Sequence, residues 1–341
     1  MNKIRVGVIG VGHLGRLHAR LYREVGQAEL IGVYDTDLEK ANEVGRELGV
    51  TVFDSREDLL KEVEAVNIVT PTSDHYESAR AALENDCHLF IEKPIMASES
   101  EAENIINMAA TNNKLLQVGH IERFNPAILA LSDVKLNPVF IESHRLASFN
   151  PRGTDVAVIL DLMIHDLDLI LSLVKREPVQ IDASGVGVIS KNIDIANARI
   201  QFKNGCVANI TASRISAKKM RKMRIFQPSS YVSLDFIEGF SEIYYISDEQ
   251  QKSFQDGTLA FSLGQIEAGD GKKSIKYNKL QRSGVNPLKH ELISFVESIS
   301  ANIPTIVSGQ EGLAALKLAN RVIQKIEEHT IQIKEGVVSE D

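Results

Sequence analysis

The chain has 341 residues, of which 43% are hydrophobic and 25% charged, and its formal net charge is −8. This composition is typical of a globular protein with about two domains, and the acidic balance argues against a nucleic-acid partner. Cys87 and Cys206 show no C-x-x-C spacing, which argues against a disulfide framework or a structural zinc site and fits a cytoplasmic protein.

The opening apolar run is short and broken by glycines, so it predicts a first strand and not a signal peptide. No later run is long enough to span a membrane. Over residues 1–122, strands alternate with helical segments, which predicts βαβ units and a doubly wound parallel sheet. The predicted strands are Ile4–Ile9, Glu29–Tyr34, Thr51–Phe53, Val66–Thr70, His88–Ile91 and Leu115–Gly119, and the helical segments are His13–Val25, Asp37–Leu48, Arg56–Glu62, His75–Glu84 and Glu99–Thr111.

The pattern changes after about residue 122. One long helix, Val156–Val174, precedes strands that have no helix between them, which predicts an α+β domain over residues 123–341 with a large open, mostly antiparallel sheet. The predicted strands are Val179–Ser190, Ala196–Phe202, Cys206–Ala212, Arg224–Gln227, Ser230–Phe236 and Glu242–Ser247, and helices over residues 287–300 and 310–328 close the chain. The polar segment 248–283 gives no clear element. One sheet face is expected to pack on helices, and the other is either solvated or an oligomer interface.

A glycine-rich turn follows the first strand and opens a helix. Its residues Gly10, Gly12, His13, Leu14 and Gly15 form a G-x-G-x-x-G motif. In this context the glycines allow a tight turn, close approach of a pyrophosphate and close helix packing, and the helix N-terminus attracts phosphate. We therefore predict a Rossmann domain that binds a dinucleotide; the alternative is a glycine-rich turn without a ligand.

Asp35 ends the second predicted strand, twenty residues after Gly15. A carboxylate at this position accepts hydrogen bonds from ribose hydroxyls and repels a 2′-phosphate. The position of Asp35 therefore predicts NAD rather than NADP as the cofactor.

Two further segments lie at the carboxyl ends of predicted parallel strands, which is the edge of the sheet where ligands bind. The first contains Thr70, Thr72 and His75, which we expect near the cofactor, although Thr72 or Ser73 alternatively caps the next helix. The second is Glu92-Lys93-Pro94, in which we expect Glu92 and Lys93 to contact the cofactor. Beside a nicotinamide, the Lys93 ammonium would stabilise a developing alkoxide, and the alternative is a surface turn with an exposed lysine.

Polar residues recur along the predicted helix 156–174. Asp161, His165, Asp168 and Ser172 stand at i, i+4, i+7 and i+11, which places them on one face of an otherwise apolar helix. This stripe is either the solvated side of an amphipathic helix or part of a site. The stripe holds three ionisable residues but neither Lys nor Glu, the usual surface residues, and its histidine is suited to proton transfer near neutral pH. Both observations favour a site.

The glycine motif, the Glu-Lys-Pro segment and D-x-x-x-H on a later helix, in this order, resemble the Gfo/Idh/MocA oxidoreductases. The resemblance covers nearly the whole chain. It implies a Rossmann domain followed by an α/β domain with an open sheet, NAD(P)-linked oxidation or reduction of sugars and polyols, and homodimers or homotetramers assembled through that sheet. It implies Lys93, Asp161 and His165 as catalytic residues: His165 takes the hydroxyl proton, Asp161 orients substrate or His165, and Lys93 stabilises alkoxide character. Whether His165 or Lys93 is the immediate base stays open.

The segment Gly119-His120-Ile121-Glu122-Arg123-Phe124 departs from the family's G-F-N-x-R-F pattern at its second and third residues. Arg123 either binds substrate or pairs with Glu122 or Asp166. Together with D-L-M-I-H-D-L-D-L-I, this segment is most similar to the branch that acts on nucleotide sugars, of the UDP-N-acetylglucosamine 3-dehydrogenase type, with Asp168 as a further substrate-binding candidate.

Six cations fall within the eleven residues from Arg214 to Arg224. Lys218 and Arg221 in this basic segment are candidates to receive a diphosphate. The alternatives are a solvated strand end or a charge patch between subunits.

The expected function is that of an NAD-dependent oxidoreductase acting on a CH–OH group of a sugar or nucleotide sugar. We expect a cytoplasmic homo-oligomer with no metal, nucleic-acid or membrane partner. The alternatives are an enzyme acting on free sugars, inositols or dihydrodiols, and a non-catalytic NAD(P)-binding sensor or regulatory subunit. The presence of Lys93, Asp161 and His165 favours an enzyme over a sensor.

Overall fold

The computed structural model describes residues 3–150, 156–247, 261–268 and 271–338, which fall into two compact units. The first unit comprises the described residues of 1–124 and 285–317, and the second comprises those of 125–284 and 318–341. Each unit is built around its own sheet.

The first unit contains a six-stranded parallel sheet. Its strand order is β3-β2-β1-β4-β5-β6, the order of a dinucleotide-binding Rossmann domain, and it reverses between β1 and β4. The strands are β1 (Ile4–Ile9), β2 (Ala28–Tyr34), β3 (Thr51–Val52), β4 (Ala65–Ile68), β5 (His88–Glu92) and β6 (Leu116–Gly119). The helices are α1 (His13–Tyr22), α2 (Leu38–Leu48), α3 (Arg56–Glu62), α4 (Thr72–Glu84) and α5 (Glu99–Thr111), and a 3₁₀ turn, Ile121–Phe124, follows β6. The predicted Rossmann sheet is confirmed.

The second unit contains a nine-stranded sheet ordered β14-β15-β13-β12-β11-β7-β10-β9-β8. All neighbouring pairs are antiparallel except β7 and β10. The strands are β7 (Phe140–Leu146), β8 (Pro178–Val186), β9 (Ile195–Phe202), β10 (Val207–Ser213), β11 (Met220–Gln227), β12 (Ser230–Asp235), β13 (Phe240–Ser247), β14 (Phe261–Ala268) and β15 (Gly271–Gln281). This confirms the predicted open, mostly antiparallel sheet and adds β7, β14 and β15, which were not predicted. The short helix α6 (Pro126–Leu129) precedes β7.

A π-helical turn, Ile159–Met163, runs directly into α7 (Ile164–Val174), which packs on β7. The predicted helix 156–174 therefore begins later and starts with a wider turn, and the segment 151–155 lies outside the described residues. The two sheet faces differ. On the face that includes Ile141 and Arg145 of β7, the side chains are mostly buried.

The opposite sheet face carries stacked aromatic rings. We name these residues the aromatic ladder: Phe140 of β7, Phe226 of β11, Tyr231 of β12, Tyr244 of β13 and Tyr277 of β15. Strand pairing places each ring opposite the next, and the four centroid separations run from 5.0 to 5.5 Å. All five rings are half-buried.

Two helices follow the second sheet, α8 (Pro287–Ala301) and α9 (Gly309–Val338). Helix α8 packs against α1, and Leu292 and Phe295 share a buried core with Val6 and Phe90 of the first unit. The predicted domain boundary at residue 122 lies close to residue 124, where the chain first passes from the first unit to the second. Residues 285–317, however, belong to the first unit and not to the second. The physical reason is the apolar face of α8, which covers the parallel sheet.

Both cysteines are buried free thiols. Burial raises the pKa of each, Cys87 and Cys206, to about 11, so both are protonated and unreactive near neutral pH. The described helices include none that is long and apolar enough to cross a membrane.

Candidate active site

Glycine occupies each of the three motif positions for a different structural reason. Gly10 adopts φ +84°, which favours glycine, and its N–H donates to the Tyr34 carbonyl oxygen at 2.8 Å. A Cβ on Gly15 would lie 1.8 Å from the Gly10 carbonyl oxygen, so the close approach of helix and turn needs glycine there. A Cβ on Gly12 would meet no atom of the described residues within 4 Å, which leaves space for a ligand against the backbone.

Helix α1 begins at this turn with its N-terminus open. Among the described residues, no side chain caps α1, and its first turn carries no acidic residue. Gly12, His13 and Leu14 are exposed there. The first N–H groups of a helix lack acceptors within the helix and carry positive partial charge, so this end suits a pyrophosphate.

Asp35 links the end of β2 to the glycine turn. Its Oδ2 accepts the Val11 N–H at 2.7 Å and its Oδ1 accepts the Asp37 N–H at 2.9 Å. A carboxylate has about four acceptor positions, so both oxygens retain capacity for ribose hydroxyls. The turn, the helix end and Asp35 together fit an NAD-type dinucleotide.

His75 connects the loops that follow β4 and β5. Its Nδ1 lies 3.1 Å from the Pro94 oxygen and its Nε2 lies 3.1 Å from the Thr70 oxygen. The residue is only 1% exposed, and burial lowers the pKa of its imidazole. Both ring nitrogens face backbone carbonyls, so His75 joins the two loops, and its predicted contact with the cofactor stays a prediction.

Helix α4 begins at Thr72, with Pro71 in the capping position. Among the described residues no side chain caps this helix, so the alternative role of Thr72 or Ser73 as a cap is wrong. Thr70 and Thr72 stay candidates for the cofactor contacts predicted for them.

Glu92 lies at the centre of a buried polar network beside Lys93. The Tyr22 hydroxyl donates to Asn67 Oδ1, and Asn67 Nδ2 donates to His18 Nδ1 at 2.9 Å. His18 Nε2–H is then directed at Glu92 Oε1, 3.2 Å away, and the Lys93 N–H donates to Glu92 Oε2 at 3.2 Å.

This network keeps Glu92 ionised. Burial by itself raises the pKa of the Glu92 carboxyl, but its hydrogen bond to His18 and the nearby charges outweigh burial, so the pKa lies below its usual range. A Cβ on Gly119 would lie 2.7 Å from Glu92 Oε1, so β6 approaches this carboxylate closely. His18 was missed by sequence reasoning; the available signal was its spacing of three from Gly15, on the face of α1 that packs on the sheet.

The polar stripe on the π turn and α7 divides into accessible and buried residues. Asp161, in the π turn, and His165, one turn later, are half-buried, and π turns occur frequently at functional sites. Asp166 is buried in an ion pair with Arg145, whose Nε lies 2.7 Å from Oδ2. Asp168 is 1% exposed, and its predicted contact with substrate stays a prediction.

A cavity of about 600 Å³ opens in the second unit. Its wall includes Asp161 and Leu162 of the π turn, the cations Arg214, Lys219 and Arg221, and the residues Leu146, Ala147, Ser148, Asn150, Phe236 and Ile237. Of the predicted substrate residues, Arg221 lies on this wall. Lys218 is exposed beside Lys219 but is not a wall residue.

Arg123 lies in the first unit, where its Nη2 donates to Glu311 Oε1 at 3.3 Å. Asp166 pairs with Arg145, and the predicted roles of Arg123, binding substrate or pairing with Glu122 or Asp166, stay predictions. The described residues contain no group of three or more His, Cys, Asp or Glu that could hold a metal ion.

A Rossmann sheet with an open helix end at its switch point, and a second unit with a cavity beside Asp161, define a dinucleotide-dependent class of protein. Residues 4–120 match the oxidoreductase family with an NAD-binding Rossmann fold, Gfo/Idh/MocA, and residues 141–227 match the Gfo/Idh/MocA C-terminal domain. The chain belongs to the Gfo/Idh/MocA family and is an oxidoreductase, as predicted.

The relatives include proteins named as dehydrogenases of a nucleotide sugar and of an inositol. The chain is 39% identical over 328 residues to UDP-N-acetylglucosamine 3-dehydrogenase of Acidithiobacillus ferrooxidans, covering 96% of this chain and 98% of that one. A solved structure of that enzyme gives a TM-score of 0.84 at 37% identity, over 96% of this chain and 99% of that one. Myo-inositol 2-dehydrogenase of Thermotoga maritima is 24% identical, over 98% of this chain and 100% of that one.

Proposed function

We propose that this protein oxidises the 3-hydroxyl group of UDP-N-acetylglucosamine, with NAD as the hydride acceptor. The observation that carries the proposal is Asp161 on the wall of the 600 Å³ cavity, which has the size of a small-molecule site. The similarity to the Acidithiobacillus ferrooxidans enzyme along the whole chain supports this substrate over a free polyol.

Lys93, Asp161 and His165 are the catalytic residues in this proposal. His165 takes the proton of the substrate hydroxyl on a ring nitrogen, since imidazole exchanges protons near neutral pH. Asp161 orients the hydroxyl and stabilises the resulting imidazolium. The Lys93 ammonium stabilises alkoxide character on the same oxygen. When bound, the nicotinamide supplies the site that accepts the hydride.

The preference for NAD over NADP is a further part of the proposal. Both oxygens of Asp35 already accept backbone N–H groups, so this side chain is fixed at the position where a carboxylate repels a 2′-phosphate.

We also propose a cytoplasmic homo-oligomer in which a second copy covers the aromatic ladder. Five half-buried rings in one continuous row on a sheet face are typical of a surface that packs against a partner. Sedimentation of the wild type and of a Tyr231→Ser, Tyr244→Ser double variant tests this. A smaller species in the variant alone supports the interface, and a wild-type monomer contradicts it.

The substrate is tested by following reduced-nicotinamide absorbance with NAD and a panel of UDP-N-acetylglucosamine, free N-acetylglucosamine and inositols, in the presence of a ketone trap. We expect turnover with the nucleotide sugar. Turnover with inositols alone would contradict the substrate but keep the reaction class. Binding of NADH without any turnover on the panel would favour the sensor alternative.

A further inference from the structure

The cavity beside Asp161 is cationic although the chain as a whole is acidic. Its wall carries three cations, Arg214, Lys219 and Arg221, and the carboxylate of Asp161, while the chain has a formal net charge of −8. A concave site with an excess of one charge concentrates ligands of the opposite charge. The cavity therefore favours an anionic ligand.

Arg214 has a structural role among these cations. It is buried, its Nη2 donates to the Val156 carbonyl oxygen at 2.7 Å, and its Nε lies 3.9 Å from Asp194 Oδ1. The Asp194 carboxylate also accepts hydrogen bonds from the Ser190 hydroxyl and from the backbone N–H groups of residues 188–190. Although burial raises the pKa of this carboxyl, these hydrogen bonds hold it well below the usual range. The Arg214 charge is thus balanced by a buried carboxylate.

Lys219 and Arg221 are instead exposed at the start of β11. Arg221 shares its sheet face with Met223 and Ile225, which are buried further along the strand. Because side chains alternate along a strand, the Arg221 guanidinium lies on the same sheet face as these two apolar side chains.

Arg221 also stands directly opposite Arg145 across the β11–β7 pair. Like charges opposite each other destabilise a sheet, and here Asp166 neutralises Arg145. The Arg221 backbone is fixed, since its carbonyl oxygen accepts the Phe236 N–H at 2.9 Å. A cation kept at such a position, on a cavity wall, indicates a binding role more than a stabilising one.

We propose that Lys219 and Arg221 form the subsite for the diphosphate of the nucleotide sugar, which makes them the residues that distinguish it from a free sugar. This assignment rests on the proposed function for the identity of the anion. A guanidinium binds phosphate oxygens with two parallel N–H groups, and an ammonium adds a point charge. Asp161 on the same wall then meets the sugar end of the ligand.

The test compares Arg221→Gln and Lys219→Gln with two matched controls. Arg224→Gln removes a guanidinium from the ladder face of the same strand, and Lys203→Gln removes an exposed ammonium from the turn between β9 and β10, which is not a wall residue. Calorimetric titration with UDP and with UDP-N-acetylglucosamine measures binding without turnover. The KM and kcat for UDP-N-acetylglucosamine and the affinity for NADH are measured in parallel.

We expect each wall variant to weaken UDP binding and raise the KM for the nucleotide sugar by roughly tenfold to a hundredfold, with the controls within about twofold of wild type. NADH affinity and the kcat at saturation should change little. Arg221→Lys should restore part of the affinity, because it keeps the charge and loses the paired N–H groups. Unchanged UDP binding in both wall variants would overturn the subsite.

The two proposals fail separately. Wild-type turnover of UDP-N-acetylglucosamine with unaffected wall variants would leave the function standing and refute the subsite. Binding of UDP that depends on Arg221 and Lys219, without hydride transfer from any nucleotide sugar, would refute the function and keep the subsite. Wild-type protein that binds neither UDP nor the nucleotide sugar would refute both.

Discussion

Replacing Asp35 by Asn separates its structural role from its role in cofactor choice. The two carboxylate oxygens accept N–H groups from Val11 at 2.7 Å and Asp37 at 2.9 Å. An amide has one oxygen and one NH₂ group, so one of these backbone donors would face another donor. Because the side chain is half-buried, we expect the free energy of unfolding to fall by about 1–2 kcal/mol, below the full value of a charged hydrogen bond.

The charge change acts on the cofactor. Two unit charges about 4 Å apart near a protein surface repel by roughly 4 kcal/mol, and solvent screening reduces this to about 1.4–3 kcal/mol, or roughly ten- to a hundredfold in binding. We therefore expect Asp35→Asn to lower the ratio of kcat/KM for NAD over NADP by this factor, measured from nicotinamide absorbance. Asp37→Asn is the control, since it removes a nearby charge but keeps a good helix cap. An equal ratio in Asp35→Asn and wild type would refute the reasoning.

Three further predictions concern the first unit. Lys93→Met should lower kcat by roughly a hundredfold to a thousandfold with NADH affinity retained in a fluorescence titration; equal turnover would remove Lys93 from the mechanism. Gly15→Ala should lower the free energy of unfolding by about 1–3 kcal/mol in urea, because its Cβ would overlap the Gly10 carbonyl oxygen, whereas Gly26→Ala, whose Cβ meets no described atom within 4 Å, should not. Because the pKa of Glu92 is lower in the folded chain than its ordinary 4.5, the folded state binds fewer protons, so the stability from Glu92 is present above that pH and is lost as pH falls through the folded pKa. Glu92→Gln should therefore flatten the acid limb of a melting-temperature profile, and an unchanged limb would contradict this.

The parallel sheet was predictable because its strands are covered on both faces. Residues Ile4–Ile9 read as a short, mostly apolar run that contains Arg5 and Gly7 and is followed by Gly10, and the structure places β1 at the same residues. Helices Arg56–Glu62 and Glu99–Thr111 also have the predicted bounds, because each has a serine immediately before it that caps its first turn. In these segments local sequence preference and burial agree.

Strand β7 was not predictable from a pattern of apolar residues. Its buried face consists of Ile141, Ser143 and Arg145, and the last two are satisfied by Asp166, which lies on a different element. A strand face that carries polar residues can be predicted to be buried only when such a distant partner is known. The contact between His18 and Glu92 is of the same kind, since it joins residues 74 positions apart that no local pattern relates.

The stripe on the candidate catalytic helix was predicted with a uniform period of 3.6 residues. The π turn at Ile159–Met163 is wider, so positions counted from Asp161 at that period drift around the axis. Asp161 and His165, close to the turn, are still accessible, whereas Asp168 is buried. The sequence predicted which residue types lie on this helix, but it did not predict which of them are buried.

The placement of α8 in the first unit has a consequence for the order of events at the ribosome. Phe90 and Val6 emerge early, but Leu292 and Phe295, which complete their core, follow only after residues 125–284 have been made. At about 5–20 residues per second, this delay lasts roughly ten to thirty seconds. During that interval the nascent parallel sheet presents an uncovered apolar face, so the unit whose synthesis starts first is completed only after most of the second unit has been made. A gene fragment cut at residue 122 would encode a domain that never leaves this incomplete state.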